Sequence, residues 1–143
     1  MNKICLLGRL TKDITLKNVN GTDFARFSLA VQRDYSKEDR EKRISENKQI
    51  VDFVYISVWG NLAKAVSSKV GKGNRIAIEG KLQINRVKKD EENRIYPEIN
   101  ANSIDFIDYK SNNINNEIEN EIEDEMQENY LDDEDDIDDE YFY

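Results

Sequence analysis

Phe53, Tyr55 and Trp59 share one parity in the run Val51-Asp-Phe-Val-Tyr-Ile-Ser-Val-Trp-Gly60. A period of two reads as a half-buried strand whose side chains point to opposite faces in turn. Val54, Ile56 and Val58 form an aliphatic face that looks like core. The three rings, with Ser57 among them, occupy the other face. Flat rings on the outside of a strand can seal a subunit interface or stack on unpaired bases. Little other chemistry competes with those two roles. The chain contains no His, which excludes Ser–His and Cys–His nucleophilic pairs and His-ligated metal sites. Cys5 is alone, so it has no intramolecular disulfide partner, and its apolar run predicts packing. The acids show no catalytic spacing. The chain therefore reads as a binding protein, with no enzyme activity and no cofactor.

The charge splits in two. Residues 1–110 hold all 21 Lys and Arg with 15 Asp and Glu, a net of +6. Residues 111–143 hold 15 Asp and Glu and no basic residue, a net of −15, which brings the whole chain to −9. A mildly basic domain suits a polyanionic partner. The acidic segment has too little apolar surface to fold and is expected to be a disordered linker and tail. The expected domains are thus 1–110 and 111–143. No apolar run is long enough to span a membrane, and strand-like sequence begins at once, so an intracellular protein with no membrane partner is expected.

The elements around the aromatic run follow from the same patterning. Residues 2–10 are an apolar strand, and residues 11–18 continue as a more polar extended piece. Asn20-Gly21 is a turn signal. In residues 24–33, Ala25, Phe27, Leu29 and Val31 read as core and Phe24, Arg26, Ser28, Ala30 and Gln32 as the opposite face. Residues 34–49 are long and charged, which reads as a protruding loop or hairpin arm with Tyr35 at its base, either merely solvated or gripping nucleic acid. Asn61 is expected to cap a short helix over 62–70, with Gly71 as its stop. Residues 75–88 alternate again, and Gly80 suggests a bulge. Residues 89–93 form a turn, and 95–107 return as the last strand, in which Pro97 demands an edge or an irregularity. Five strands and one helix between the third and fourth make a mainly β, five-stranded OB-fold barrel.

Four blocks carry a resemblance: Met1-Asn-Lys-Ile-Cys-Leu-Leu-Gly-Arg-Leu-Thr-Lys-Asp13, Ala25-Arg-Phe-Ser-Leu-Ala-Val31, Val58-Trp-Gly-Asn-Leu-Ala63 and Lys72-Gly-Asn-Arg-Ile-Ala-Ile-Glu-Gly-Lys-Leu82. In order and spacing they are similar to bacterial and phage single-stranded-DNA-binding proteins. The resemblance implies an OB-fold that forms a homotetramer and wraps single-stranded DNA over aromatic and basic positions. The stacking positions fall on Tyr35, Phe53 and Trp59. A fourth falls on Val87, where the sequence departs from the pattern, and Tyr96 across the same hairpin is a candidate replacement. Tyr55 is a candidate from alternation alone. Arg9, Arg33, Lys37, Lys81, Arg86 and Lys88 are the basic residues expected near phosphates. Three rings would contribute about 3–9 kcal/mol per subunit before ordering costs.

Asp138, Asp139, Glu140, Tyr141, Phe142 and Tyr143 form an acid run closed by rings, a plug able to enter an apolar pocket with a basic rim. In the family such a tip recruits replication, repair and recombination proteins. The usual Pro-Phe ending is absent, which points to a different partner set. The functional expectation is sequence-independent binding and protection of single-stranded DNA, in the bacterial cytoplasm at the nucleoid or, for a phage protein, in the host cytoplasm. The alternatives are an OB-fold replication-restart or recombination accessory protein, and a pure interaction module whose tail mimics nucleic acid.

Overall fold

The structure, a computed structural model, describes residues 1–110. Six strands and two helices follow in the order β1 (Ile4–Leu10), β2 (Lys17–Val19), β3 (Thr22–Gln32), α1 (Lys37–Ser45), β4 (Val51–Trp59), α2 (Asn61–Lys69), β5 (Arg75–Lys89) and β6 (Glu92–Phe106). The sheet order is β1-β5-β6-β4-β3-β2. A short β1–β3 ladder, Arg9 opposite Ala30 and Leu10 opposite Leu29, links distant strands of that order. The β4–β6 ladder is parallel and the other ladders are antiparallel. This is the mainly β, OB-type arrangement that the alternation predicts, with a short β2 and a second helix in addition.

One face of the curved sheet makes the core. Ala25 and Leu29 of β3, Ile56 and Val58 of β4, Ile76 and Ile78 of β5 and Ile99 of β6 close on one another, and Ala63 and Val66 of α2 join them. The strand parities read from the sequence hold at these positions. Gly80 sits at a register shift, since Glu79 faces Ser103 while Gly80 faces Ala101. A Cβ there would lie 2.3 Å from the Asn100 carbonyl oxygen, so only glycine fits the close approach of β5 and β6. Pro97 pairs with Ile84 just before the β4–β6 ladder begins at Glu98, where its missing N–H costs no second ladder. Asn20-Gly21 is a two-residue turn with both φ positive, joining β2 and β3.

Four local expectations are corrected. Residues 34–49 are not a loop or hairpin arm: they contain α1, capped by Ser36, whose Oγ accepts from the Asp39 N–H at 3.1 Å and donates to its carboxylate at 2.7 Å. Asn61 is the first residue of α2 and not its cap. Gly60 holds the cap position at φ +68, which glycine takes without strain and which lets β4 turn directly into α2. Gly71 does not stop the helix in the left-handed conformation, because Val70 already leaves it extended. Cys5 is exposed on β1 rather than packed, since Ile4 and Leu6 take the inward parity.

Candidate nucleic-acid interface

Residues paired across a sheet point to the same face, so the registers define what lies outside the core. Trp59 is opposite Phe24, Ser57 opposite Arg26, Tyr55 opposite Ser28 and Phe53 opposite Ala30. Across the parallel ladder, Tyr55 meets Glu98 and Ser57 meets Asn100. Further on, Glu98 meets Gln83, Asn100 meets Lys81 and Tyr96 meets Asn85. Phe53, Tyr55, Trp59, Tyr96 and Lys81 therefore share one face spanning β3, β4, β6 and β5. Arg9 belongs to the same row as Phe53 through Ala30.

Several of these rings have a partner. Trp59, 39% exposed, rests on the buried Phe24 with centroids 4.4 Å apart and planes at 51°. The Arg26 guanidinium carbon lies 4.7 Å from the Tyr55 centroid. Arg26 Nε is 3.5 Å from Glu98 Oε2, and both side chains are almost fully buried. Asn85 Nδ2 donates to Glu98 Oε2 at 3.3 Å, and Asn100 Nδ2 donates to Ser57 Oγ at 3.2 Å. The floor between the rings is thus a polar layer with paired charges. Arg94 bonds the Tyr96 phenol, which raises the arginine pKa above its ordinary value.

Tyr35 lies in the short segment between β3 and α1 and is half-buried. The Arg43 guanidinium carbon sits 4.5 Å from its ring centroid. Arg33 makes a fork to Asp52: Nε is 3.0 Å from each carboxylate oxygen and Nη2 is 2.7 Å from Oδ1. Hydrogen bonding to Asp52 raises the Arg33 pKa, and the same bond holds the Asp52 carboxyl below its ordinary value of 3.8. The Arg33 charge is therefore largely neutralised within the protein. Arg9 Nη1 donates to the Gly73 carbonyl at 3.0 Å.

Lys37 is exposed at the start of α1. Arg86 and Lys88 are exposed on the β5–β6 hairpin, but by parity they share the side of Leu82 and Ile84, opposite that of Asn85 and Tyr96. Val87 pairs with Arg94 on the Tyr96 side. The structure thus unites Phe53, Tyr55, Trp59, Tyr96, Lys81 and Arg9, sets Tyr35 and Lys37 at one end, and puts Arg86 and Lys88 on another surface. Asp138, Asp139, Glu140, Tyr141, Phe142 and Tyr143 lie outside the described residues. Sequence reading did not single out Arg26, Glu98 or Arg43. Arg26 did show the right parity, between Phe24 and Ser28, but a lone cation on an outer face signals nothing until its partner strand is known.

Fold and site together define an OB-fold protein with an aromatic, partly basic outer face. The model of the single-strand binding protein family matches residues 1–107, and the chain belongs to that family. Single-stranded DNA-binding protein 3 of Clostridium acetobutylicum is 36% identical over 118 residues, which cover 80% of this chain and 76% of that protein. The single-stranded DNA-binding protein of Clostridium tetani is 32% identical over 147 residues, 96% of each chain. In fold, the chain is similar to the crystal structure of the small single-stranded DNA-binding protein from Streptomyces coelicolor, with a TM-score of 0.59 and 20% identity, covering 74% of this chain and 95% of that one.

Proposed function

We propose that this protein binds single-stranded DNA with little sequence preference, as a non-catalytic coat. The observation that carries the reading is the row of Phe53, Tyr55, Trp59 and Tyr96 on one outer face, with Trp59 backed by Phe24 and Tyr55 by Arg26. Rings accept any base, because every base has a π-face. The net charge of +6 over residues 1–110 supplies the long-range attraction for phosphates. Relatives that share the family are named as single-stranded DNA-binding proteins, which supports the same ligand here.

The finer parts of the reading rest on local features. A homotetramer is supported by β1: one edge pairs with β5, while the other meets β3 only through Arg9 and Leu10 and has no strand partner at residues 4–8 among the described residues. An unpaired edge is a template for a second strand, and Leu7 beside it is exposed. Recruitment of replication, repair and recombination proteins is assigned to residues 138–143 by their acid run and terminal rings. No helix among the described residues is long and apolar enough to cross a membrane, and we place the protein with DNA in the cytoplasm, at the nucleoid.

The test is a titration of the full chain with oligo-dT, followed by the fluorescence of Trp59, at low and high salt. Saturable quenching is expected, with affinity falling as salt rises by a log–log slope of about −0.7 per neutralised phosphate. No binding at low salt would overturn the reading and leave the aromatic face as a protein interface.

The Arg33–Asp52 fork gives a graded version of this experiment. Asp52 has a depressed pKa, so the pair is intact above the ordinary carboxylate range and breaks only as pH falls through the lowered value. Between pH 5 and pH 8 the pair itself should leave affinity unchanged. Asp52→Asn should release the Arg33 charge, tighten binding at low salt and steepen the salt slope by about 0.7. An unchanged slope would mean that Arg33 lies off the phosphate path.

A further inference from the structure

α1 raises a question that its own stability does not answer. The helix buries none of its side chains, so it gains little from the hydrophobic effect. Polar contacts tie it to the sheet instead. The Ser36 cap fixes its start, and Arg40 Nη1 donates to Gln32 Oε1 at 2.9 Å. At its far end Lys48 N donates to the Arg43 carbonyl at 2.8 Å, and Arg33 N donates to the Ile50 carbonyl at 3.0 Å, which closes the whole segment. Arg43 is then held over Tyr35, and its Nε donates to the Gln49 carbonyl at 3.3 Å. One face of the Tyr35 ring is therefore occupied by a guanidinium that is itself tied to the backbone.

We propose that Arg43 is a positioning residue for DNA: α1 carries it onto one face of Tyr35, so that the ring is already oriented to take a base on its opposite face. The inference rests on the single-stranded-DNA reading and adds to it a pre-ordered stacking step outside the sheet. A tyrosine that is free to rotate must be immobilised when a base lands on it, and that ordering weakens binding. A ring fixed beforehand avoids the loss. The planar guanidinium also stacks on the ring and strengthens the cation–π contact, where an ammonium would act as a point charge. The arrangement repeats on the sheet, where Arg26 lies against Tyr55.

The test uses the full chain and the oligo-dT titration over a salt series, with Arg43→Met, Arg43→Lys, Tyr35→Ala and the Arg43→Met/Tyr35→Ala double variant. Arg43→Met should weaken binding about two- to tenfold without changing the salt slope. Arg43→Lys should recover part of the loss. On the Tyr35→Ala background, Arg43→Met should cost nothing further. α1 lies outside the core, so the thermal midpoint of each variant should stay near that of the parent. An Arg43→Met chain that binds like the parent overturns the inference. So does a loss that persists without Tyr35 and makes the slope shallower by about 0.7, since that would mark a direct phosphate contact. If the parent chain itself fails to bind oligo-dT, it is the function that falls, which separates the two failures.

Discussion

Trp59→Ala is expected to weaken binding of oligo-dT by about 5- to 150-fold, the loss of one base–ring stack worth about 1–3 kcal/mol. Trp59 combines the two properties that such a site needs. It is 39% exposed, so a base can reach it, and Phe24 lies against it at 4.4 Å, so little ordering remains to be done on binding. The indole carries no charge, so the salt slope should not move while the affinity falls. Trp59→Phe should keep a π-face and lose less. Because the substitution removes the only tryptophan, the measurement is the anisotropy of a labelled oligo-dT rather than protein fluorescence. Phe24 would gain some exposure, but the core beneath it stays closed, and the chain should still unfold cooperatively. Binding within twofold of the parent would show that the strand passes elsewhere on the face.

How far the sequence reveals this site depends on the range of the interactions. The alternation of β4 is local, and it separates Ile56 and Val58 from Phe53, Tyr55 and Trp59 without any knowledge of neighbours. The Asn20-Gly21 turn and the bulge at Gly80 are equally local, because each is a backbone geometry that one residue type permits. α1 is masked by its composition: Lys-Glu-Asp-Arg-Glu-Lys-Arg carries no apolar stripe, and a helix without one has no periodic signature. Its mark is the Ser36-Lys-Glu-Asp39 cap, a short-range signal that outweighs the missing stripe. Cys5 sits among apolar neighbours and still faces out, because parity rather than neighbourhood decides exposure on a strand. Pairings such as Arg33 with Asp52 and Arg26 with Glu98 depend on which strands are adjacent and in what register. No local pattern encodes that, and these pairings decide which cations keep their charge available to DNA.

Arg26→Met should be the most damaging single substitution on the outer face, costing about 3–5 kcal/mol of stability. The comparison with the other ion pairs shows why. Lys3–Glu79, Arg33–Asp52 and Arg75–Asp108 are substantially exposed to water, where solvent screening leaves such pairs little net stabilisation. The Arg26 and Glu98 side chains are 7% and 6% exposed. Removing the guanidinium leaves a buried carboxylate beside Tyr55 and Asn85, with far less water to replace it. Arg26→Met/Glu98→Gln should then recover most of the loss, since glutamine carries no charge and its amide oxygen can still accept from Asn85 Nδ2. The coupling between the two sites is the difference between the double variant and the sum of the singles, and it should exceed about 1.5 kcal/mol, since more than half of the Arg26→Met loss is recovered. Urea unfolding of the four chains, followed by circular dichroism, measures all the terms. A loss below about 1 kcal/mol for Arg26→Met would show that water reaches the pair and that it behaves like the exposed ones. A large loss without recovery in the double variant would assign the role of Arg26 to packing against the Tyr55 ring rather than to charge. That distinction bears on function, because a ring resting on a fixed cation keeps its orientation only while the cation itself is held. In this fold Glu98, an acid buried in a face that we expect to meet phosphates, is what holds it.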